Sequence, residues 1–291
     1  MLSLTATQAE TDLAVAFCQS DDQDQAVRIW WLGQAGFALK YQTTLLLVDP
    51  YLSDSLAEKY RDKKLKHQRL MPVPVDPEKI RNCAWYLCTH SHTDHMDPLT
   101  LQAVNRASAP HFLVPRADLA RALRRGVPSH KLFALTAGES LALTGEITVE
   151  AVAAAHEQLE IDEHGNFKYL GYILSLGGLR LYHSGDTIPY PGLTETLASK
   201  QIDIAMLPIN GRDPFRRSHG VPGNFTLEEA ITLCHDTGIP YLVGHHFEMF
   251  DFNTINRCTA ETILQQRAGS LNWLLPEVGL TYTILTEDAQ P

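Results

Sequence analysis

Apolar residues come in short runs separated by polar or glycine breaks, and the first runs are strand-like. Val27 to Leu32, Gly36 to Lys40 and Thr44 to Val48 predict three short strands, punctuated by Gly33, Gly36 and the polar pair Gln42-Thr43. Turns this tight predict an antiparallel meander. After Asp49-Pro50-Tyr51 the pattern lapses, and Lys59, Arg61, Lys63, Lys64, Lys66 and Arg69 follow without apolar periodicity. That stretch reads as a solvated loop or frayed helix, or else as a cationic rim for an anionic substrate.

Beyond it strands and helices alternate. Ala84 to Cys88 is an apolar run, and a helix from Pro98 to about Arg106 follows, because Asp97 can accept an N-terminal N–H and Pro98 fits the first helical position. His111 to Val114 and Lys131 to Leu135 read as strands on either side of a helix from Asp118 to Arg125 that Gly126 ends. Ile147 to Ala155 is a strand ending at His156, and Tyr169 to Leu176 turns through Gly177-Gly178 into Leu179 to His183 as a hairpin. A helix near Leu193 to Lys200, a strand Ile202 to Leu207 and a loop Pro208 to Asn224 come next. Thr226-Leu227-Glu228-Glu229 has the form of a capping box, so a helix runs from there to about Thr237. Tyr241 to Gly244 delivers His245-His246, and a helix near Thr254 to Arg267 and a strand Leu280 to Leu285 close the chain. With no linker or repeat, the 291 residues predict a single α+β domain with residues 1–27 as an N-terminal extension.

Charge narrows the partners. Acidic residues outnumber basic ones 34 to 24, a formal charge of -10, so no nucleic acid is expected. The five cysteines are widely spaced and form no C-x-x-C, which suits buried free thiols and leaves metal ligation to histidine and carboxylate. The first 27 residues hold Glu10, Asp12, Asp21, Asp22 and Asp24 and no long apolar core, and no run approaches membrane-spanning length. A soluble cytoplasmic protein is expected, with no membrane partner; a homo-oligomer is left open.

The chemistry sits where strands end. Thr89-His90-Ser91-His92-Thr93-Asp94-His95 places three imidazoles and a carboxylate in six consecutive positions. In an extended or turning segment His90 and His92 point the same way, while Asp94 and His95 lie beyond the turn and can face a second ion. Later strands end at His156, at Asp186 and at a histidine, 245 or 246.

In this order the residues resemble the metallo-β-lactamase fold superfamily, whose members carry H-x-H-x-D-H, a later lone His, a bridging Asp and a final His; the match covers roughly residues 28 to 255. The resemblance implies a four-layer αββα sandwich with metals at one edge. Carried over, His90, His92 and His156 would hold one ion, Asp94, His95 and the terminal histidine the other, and Asp186 would bridge them. The run His246-Phe247-Glu248-Met249-Phe250 favours His246 as that last ligand, leaving His245 in support. Asp49 would orient the histidine loop, and His183, three residues before Asp186, would support the ligands.

A finer resemblance is to the L-ascorbate-6-phosphate lactonase-like branch. It rests on Trp31-Leu32-Gly33-Gln34-Ala35-Gly36-Phe37 with Asp49-Pro50-Tyr51-Leu52, on Leu207-Pro208-Ile209-Asn210-Gly211-Arg212-Asp213, and on Gly223-Asn224 leading into Glu228-Glu229-Ala230. Asn210 and Gly211 could simply form a tight turn; read functionally, Asn210 and Arg212 would bind substrate, the guanidinium pairing with a phosphate or carboxylate. The resemblance implies a dinuclear metal-dependent hydrolase, with Mn or Zn and possible use of Fe, opening a phosphorylated sugar-acid lactone such as L-ascorbate 6-phosphate. Metal-activated water would attack, with Asp94 as the catalytic carboxylate. The alternatives are a phospholipase D-type phosphodiesterase and a metal-binding protein without turnover. The chain has no G-x-S-x-G, which argues against a serine nucleophile.

Overall fold

Successive side chains along each early strand fall into different cores, as the two-residue period of a strand requires. The computed structural model describes residues 2–8, 12–19 and 25–285. In chain order the strands are β1 (Ser3–Gln8), β2 (Val27–Gly33), β3 (Gly36–Tyr41), β4 (Thr44–Val48), β5 (Cys83–Leu87), β6 (His111–Pro115), β7 (Leu132–Leu135) and β8 (Ser140–Ala142). They continue with β9 (Ile147–Ala153), β10 (Leu170–Leu176), β11 (Leu179–His183), β12 (Ile204–Pro208), β13 (Tyr241–His245), β14 (Asn272–Leu274) and β15 (Leu280–Leu285). Among the described residues they form an eight-stranded sheet, β1-β15-β2-β3-β4-β5-β6-β7, and a seven-stranded sheet, β14-β13-β12-β11-β10-β9-β8. β2, β3 and β4 pair antiparallel as the expected meander, and β4 to β7 run parallel.

Ile29, Trp31, Phe37, Leu46, Val48 and Leu87 pack between the sheets against Val149, Tyr172, Leu174 and Leu181. Their neighbours Trp30, Leu32, Leu45, Leu47 and Tyr86 face outward under Leu101 and Val104 of the helix Pro98–Ser108. A one-residue slip in β2 would exchange these sets, and each large apolar side chain left exposed would forfeit roughly 1.5 to 3 kcal/mol. On the other sheet the helix Leu227–Thr237 buries Leu227, Ala230, Ile231 and Cys234 at helical spacing and packs on β12 and β13, beside the helices Leu193–Ala198 and Arg257–Arg267. The result is the expected helix, sheet, sheet, helix layering.

Several local predictions hold in detail. Gly177 (φ 55°) and Gly178 (φ 89°) make the turn that joins β10 to β11, and the Thr226–Glu229 capping box has both of its hydrogen bonds. Others need correction. The N-terminal extension contributes β1, an edge strand on β15, and the helix Leu13–Cys18, which joins the outer core; Glu10, Asp21, Asp22 and Asp24 lie outside the described residues. A short helix at Pro214–Ser218 interrupts the segment expected to be a loop, a helix at Ser55–Lys59 runs into the cationic stretch, and β8 and β14 lie where the apolar pattern predicts no strand. Cys83, Cys88 and Cys234 are buried free thiols, whereas Cys18 and Cys258 are exposed.

Candidate metal centre

The site lies where strands of both sheets end side by side. β5 leads into Thr89, whose carbonyl accepts from Leu170 N at 3.0 Å, so the histidine loop is tied to β10 of the opposite sheet. Gly185 makes this approach feasible: at φ 60°, an added Cβ would stand 2.7 Å from Leu170 O and 2.8 Å from Thr89 Cβ. β9 leads to His156, β11 to Asp186 and β13 to His246.

These ends bring all seven expected ligands together. Donor atoms of His90, His92 and His156 lie within 4.8 Å of one another, as do those of Asp94, His95 and His246, and as do those of His90, His95 and Asp186. Asp186 touches both sides, its Oδ1 3.3 Å from His95 Nε2 and its Oδ2 3.6 Å from His156 Nε2 and 3.2 Å from His246 Nε2. His90 Nε2, His95 Nε2 and Asp186 Oδ1 are buried and have no hydrogen-bond partner. Buried polar atoms left unmatched in this way are costly, and three converging on one point fit a cation-binding site of imidazole and carboxylate donors.

Charge is arranged to match. Burial, with His95 and His92 nearby, holds His90 well below the usual histidine range, and burial pushes His156 down to about 3, so both keep lone pairs at neutral pH. Burial would also lower His95, but Asp186, Asp49 and Asp94 outweigh it and hold that imidazole well above its ordinary value. Burial alone would raise the carboxyls of Asp94 and Asp186; the surrounding imidazoles His95 and His246 prevail and keep both low.

The surrounding shell is as closely specified. Asp49, fully buried, accepts from Thr89 N at 2.7 Å, Thr89 Oγ1 at 2.5 Å and His95 Nδ1 at 2.7 Å, which directs His95 Nε2 toward Asp94 and Asp186. His183 Nε2 donates to Ala35 O at 2.8 Å, and its Nδ1 accepts from Gly185 N at 3.2 Å, fixing the backbone beside Asp186. His245 stacks on His183 with ring centroids 4.9 Å apart and belongs to none of the three donor groups. Gln34, Asp49, His246 and Glu248 all hold left-handed φ values, between 47° and 62°. Each costs of order 1 to 3 kcal/mol and is typical of a functional site over-determined by its surroundings.

Arg212 and Asn210 are not where a substrate would meet them. Both terminal nitrogens of Arg212 pair with Glu229 at 2.6 Å, and Nη1 also donates to Asn224 O at 3.0 Å, so the guanidinium already has its bidentate carboxylate partner inside the chain. Asn210 is buried, donating to Asn253 Oδ1 at 2.7 Å and accepting from Asn224 Nδ2 at 3.2 Å. The cleft over the candidate ligands is instead lined by Lys59, Tyr60, His67, Thr93, Phe250 and Asn253, among others. His67 stacks on Tyr60 at 4.1 Å and meets Phe250 and Phe252 edge-on. Lys59 donates to Thr93 Oγ1 at 3.2 Å, so the cationic stretch does reach the cleft, through its first residue. Sequence reasoning missed Lys59 and Asn253 as individuals, because distant loops bring them together; Gln34 stood in a quoted motif without a role.

The sequence also has relatives. Residues 44–247 match the model of the Beta-lactamase superfamily domain. A UPF0173 metal-dependent hydrolase of Archaeoglobus fulgidus is 29% identical over 187 residues, covering 63% of this chain and 71% of that protein. A second, from Thermoplasma acidophilum, is 28% identical over 225 residues, covering 77% and 85%. Among solved structures, an isothiocyanate hydrolase from Delia radicum gut bacteria superposes with a TM-score of 0.69 at 18% identity, covering 87% of this chain and 98% of that one. A metallo hydrolase from Ignicoccus hospitalis gives 0.64 at 16% identity, covering 90% and 100%; at such identities both show the fold alone. With the family model spanning well over half of its length, the chain belongs to the beta-lactamase superfamily domain family.

Proposed function

We propose that the protein is a dinuclear metal-dependent hydrolase that opens a small anionic lactone, as in the L-ascorbate-6-phosphate lactonase-like branch of its superfamily. One observation carries the reading: seven donors from four strand ends converge in three groups linked through His90 and His95, with three of their donor atoms buried and unmatched. His90, His92 and His156 would hold one ion and Asp94, His95 and His246 the other, with Asp186 between them; Mn, Zn or Fe suits such donors. Bound divalent ions would supply a water acidic enough to react near neutral pH and an electrophilic contact for an acyl oxygen.

The chain's own residues would do the rest. Asp94 lines the cleft with its carboxyl kept ionised, so it can accept a proton from the attacking water and pass it to the leaving alkoxide. Lys59 takes the recognition role expected of Arg212: it is the cation facing the cleft and can pair with a phosphate or carboxylate of the substrate. Tyr60, His67 and Phe250 wall one side and limit the entry of water.

Hydrolysis of L-ascorbate 6-phosphate, a neutral lactone and a generic phosphodiester, each with Mn and with Zn, tests the reading. Lactone opening that disappears on chelation is expected. Phosphodiester cleavage without lactone opening replaces the lactonase assignment, and tight metal binding with no turnover on any of the three favours a sensor.

A further inference from the structure

Gln34 is fully buried, and its side-chain amide is aimed into the metal centre. Nε2 stands 2.8 Å from Asp94 Oδ2 and 3.1 Å from His246 Nε2, while Oε1 has no hydrogen-bond partner. Donation to Asp94 explains one N–H. The other meets the imidazole nitrogen that faces Asp186 at 3.2 Å, the lone pair an ion would use, and the amide oxygen is left buried with no donor.

A half-turn about the last torsion exchanges the amide oxygen and nitrogen. Oε1 would then join Asp94 Oδ2 and His246 Nε2 as three acceptors with no proton among them, an arrangement that a cation stabilises. The edges of this triangle are 2.8, 3.1 and 3.8 Å. Donors around one ion at bonds of about 2.1 Å stand roughly 3.0 to 3.4 Å apart.

The backbone is built to hold the amide there. Gln34 (φ 53°) and His246 (φ 62°) both lie in the left-handed region, and they are joined by His246 N donating to Gln34 O at 2.9 Å. Trp31 Nε1 donates to the same carbonyl at 3.0 Å, and the Trp31 ring stacks on Phe247 at 4.9 Å. Two conformations that non-glycine residues rarely adopt thus aim two side chains at one point.

We propose that Gln34 is a further metal ligand, giving its side-chain oxygen to the ion held by Asp94, His95 and His246. This rests on the two-ion reading above. A neutral oxygen beside a carboxylate and two imidazoles makes this the harder of the two donor sets, more hospitable to Mn or Fe than the three-histidine set.

The test is Mn(II) binding to the chelator-stripped full chain, followed by equilibrium dialysis with elemental analysis and by the Mn electron paramagnetic resonance signal. Wild type should bind two ions. Gln34→Met should weaken one of them about tenfold or more and spare the other, while Gln34→Glu, which supplies an oxygen at the same place, should bind that ion at least as tightly as wild type. A residue that only braced Asp94 by donation would behave differently, because Gln34→Glu would then set carboxylate against carboxylate and lose the ion as Gln34→Met does. That result, or a Met variant within twofold of wild type, overturns the ligand role and leaves the two-ion centre standing. A single ion in wild type overturns the two-ion reading itself. Should either variant fold poorly, a crystal structure of Mn-loaded wild type decides directly: the Gln34 amide at bonding distance supports the proposal, and the amide turned away from the ion refutes it.

Discussion

On the proposed two-ion reading, Asp49→Asn should unmake half of the metal centre without removing a candidate ligand. The carboxylate accepts three hydrogen bonds: from Thr89 N, from Thr89 Oγ1 and from His95 Nδ1. An asparagine offers one oxygen. If that oxygen faces Thr89 N, the amide NH₂ confronts His95 Nδ1, which must become the acceptor and move the ring proton to Nε2, the atom that stands 3.3 Å from Asp186 Oδ1. If the amide is reversed, its NH₂ meets the Thr89 N–H where the carboxylate oxygen now sits at 2.7 Å, and two donors clash. Either way one charge-assisted bond is lost in a fully buried place, roughly 1.5 to 3 kcal/mol of stability, enough to lower the melting temperature by several degrees. Loss of an orienting partner of this kind weakens metal binding about 10- to 100-fold, or roughly 1.4 to 2.7 kcal/mol. The ion held with His95 should suffer more than the ion held by His90, His92 and His156. Competition for Mn or Zn against a chelating dye gives the affinities, and melting in the presence of EDTA gives the stability. A folded variant that binds both ions within threefold of wild type and melts at the same temperature would refute the orienting role.

Three further outcomes are expected. Lys59→Gln should lower kcat/KM on a phosphorylated lactone three- to tenfold, about 0.7 to 1.4 kcal/mol for an exposed cation, with little change on its neutral parent; an equal loss on both would move Lys59 out of recognition. Arg212→Ala should destabilise the fold by roughly 1 to 2 kcal/mol in denaturant titrations while keeping any preference for the anionic substrate, because its partner is Glu229; loss of that preference would restore Arg212 to the substrate site. Glu229→Gln removes a carboxyl that burial would raise but that Arg212 and the Thr226 backbone N–H hold low. A depressed carboxyl stabilises the fold above its unfolded value and loses that contribution as pH falls through the folded one, so the stability gap between wild type and variant should narrow below about pH 4.5. A gap that does not change with pH would show that the charge contributes nothing there.

How much of this could be read from the chain depended on distance along it. The gathering of the candidate ligands was legible because a strand end delivers residues in fixed order: four come from one turn of seven residues, and the others each close an apolar run. The meander was legible for the same reason, since Trp30 and Trp31 alternate between two cores that only a strand's period separates. β1 was not. Its residues Ser3–Gln8 carry one half-buried and five exposed positions, so its place comes from pairing with β15 at the far end of the chain and not from any apolar face of its own. Arg212 shows a subtler failure. A guanidinium beside a tight turn does seek a bidentate carboxylate, and the one it finds is Glu229, already marked in the sequence as the last residue of a capping box. Glu229 serves helix and arginine together: its Oε2 accepts from Thr226 N at 2.9 Å and from Arg212 at 2.6 Å. In the proposed reading anion recognition falls to Lys59, whose position in the cleft depends on the helix Ser55–Lys59 and on Thr93 in the histidine loop. Selectivity for substrate is thereby coupled to the same loop that carries four of the ligands, so a change that loosens Thr93 should disturb metal binding and anion preference together.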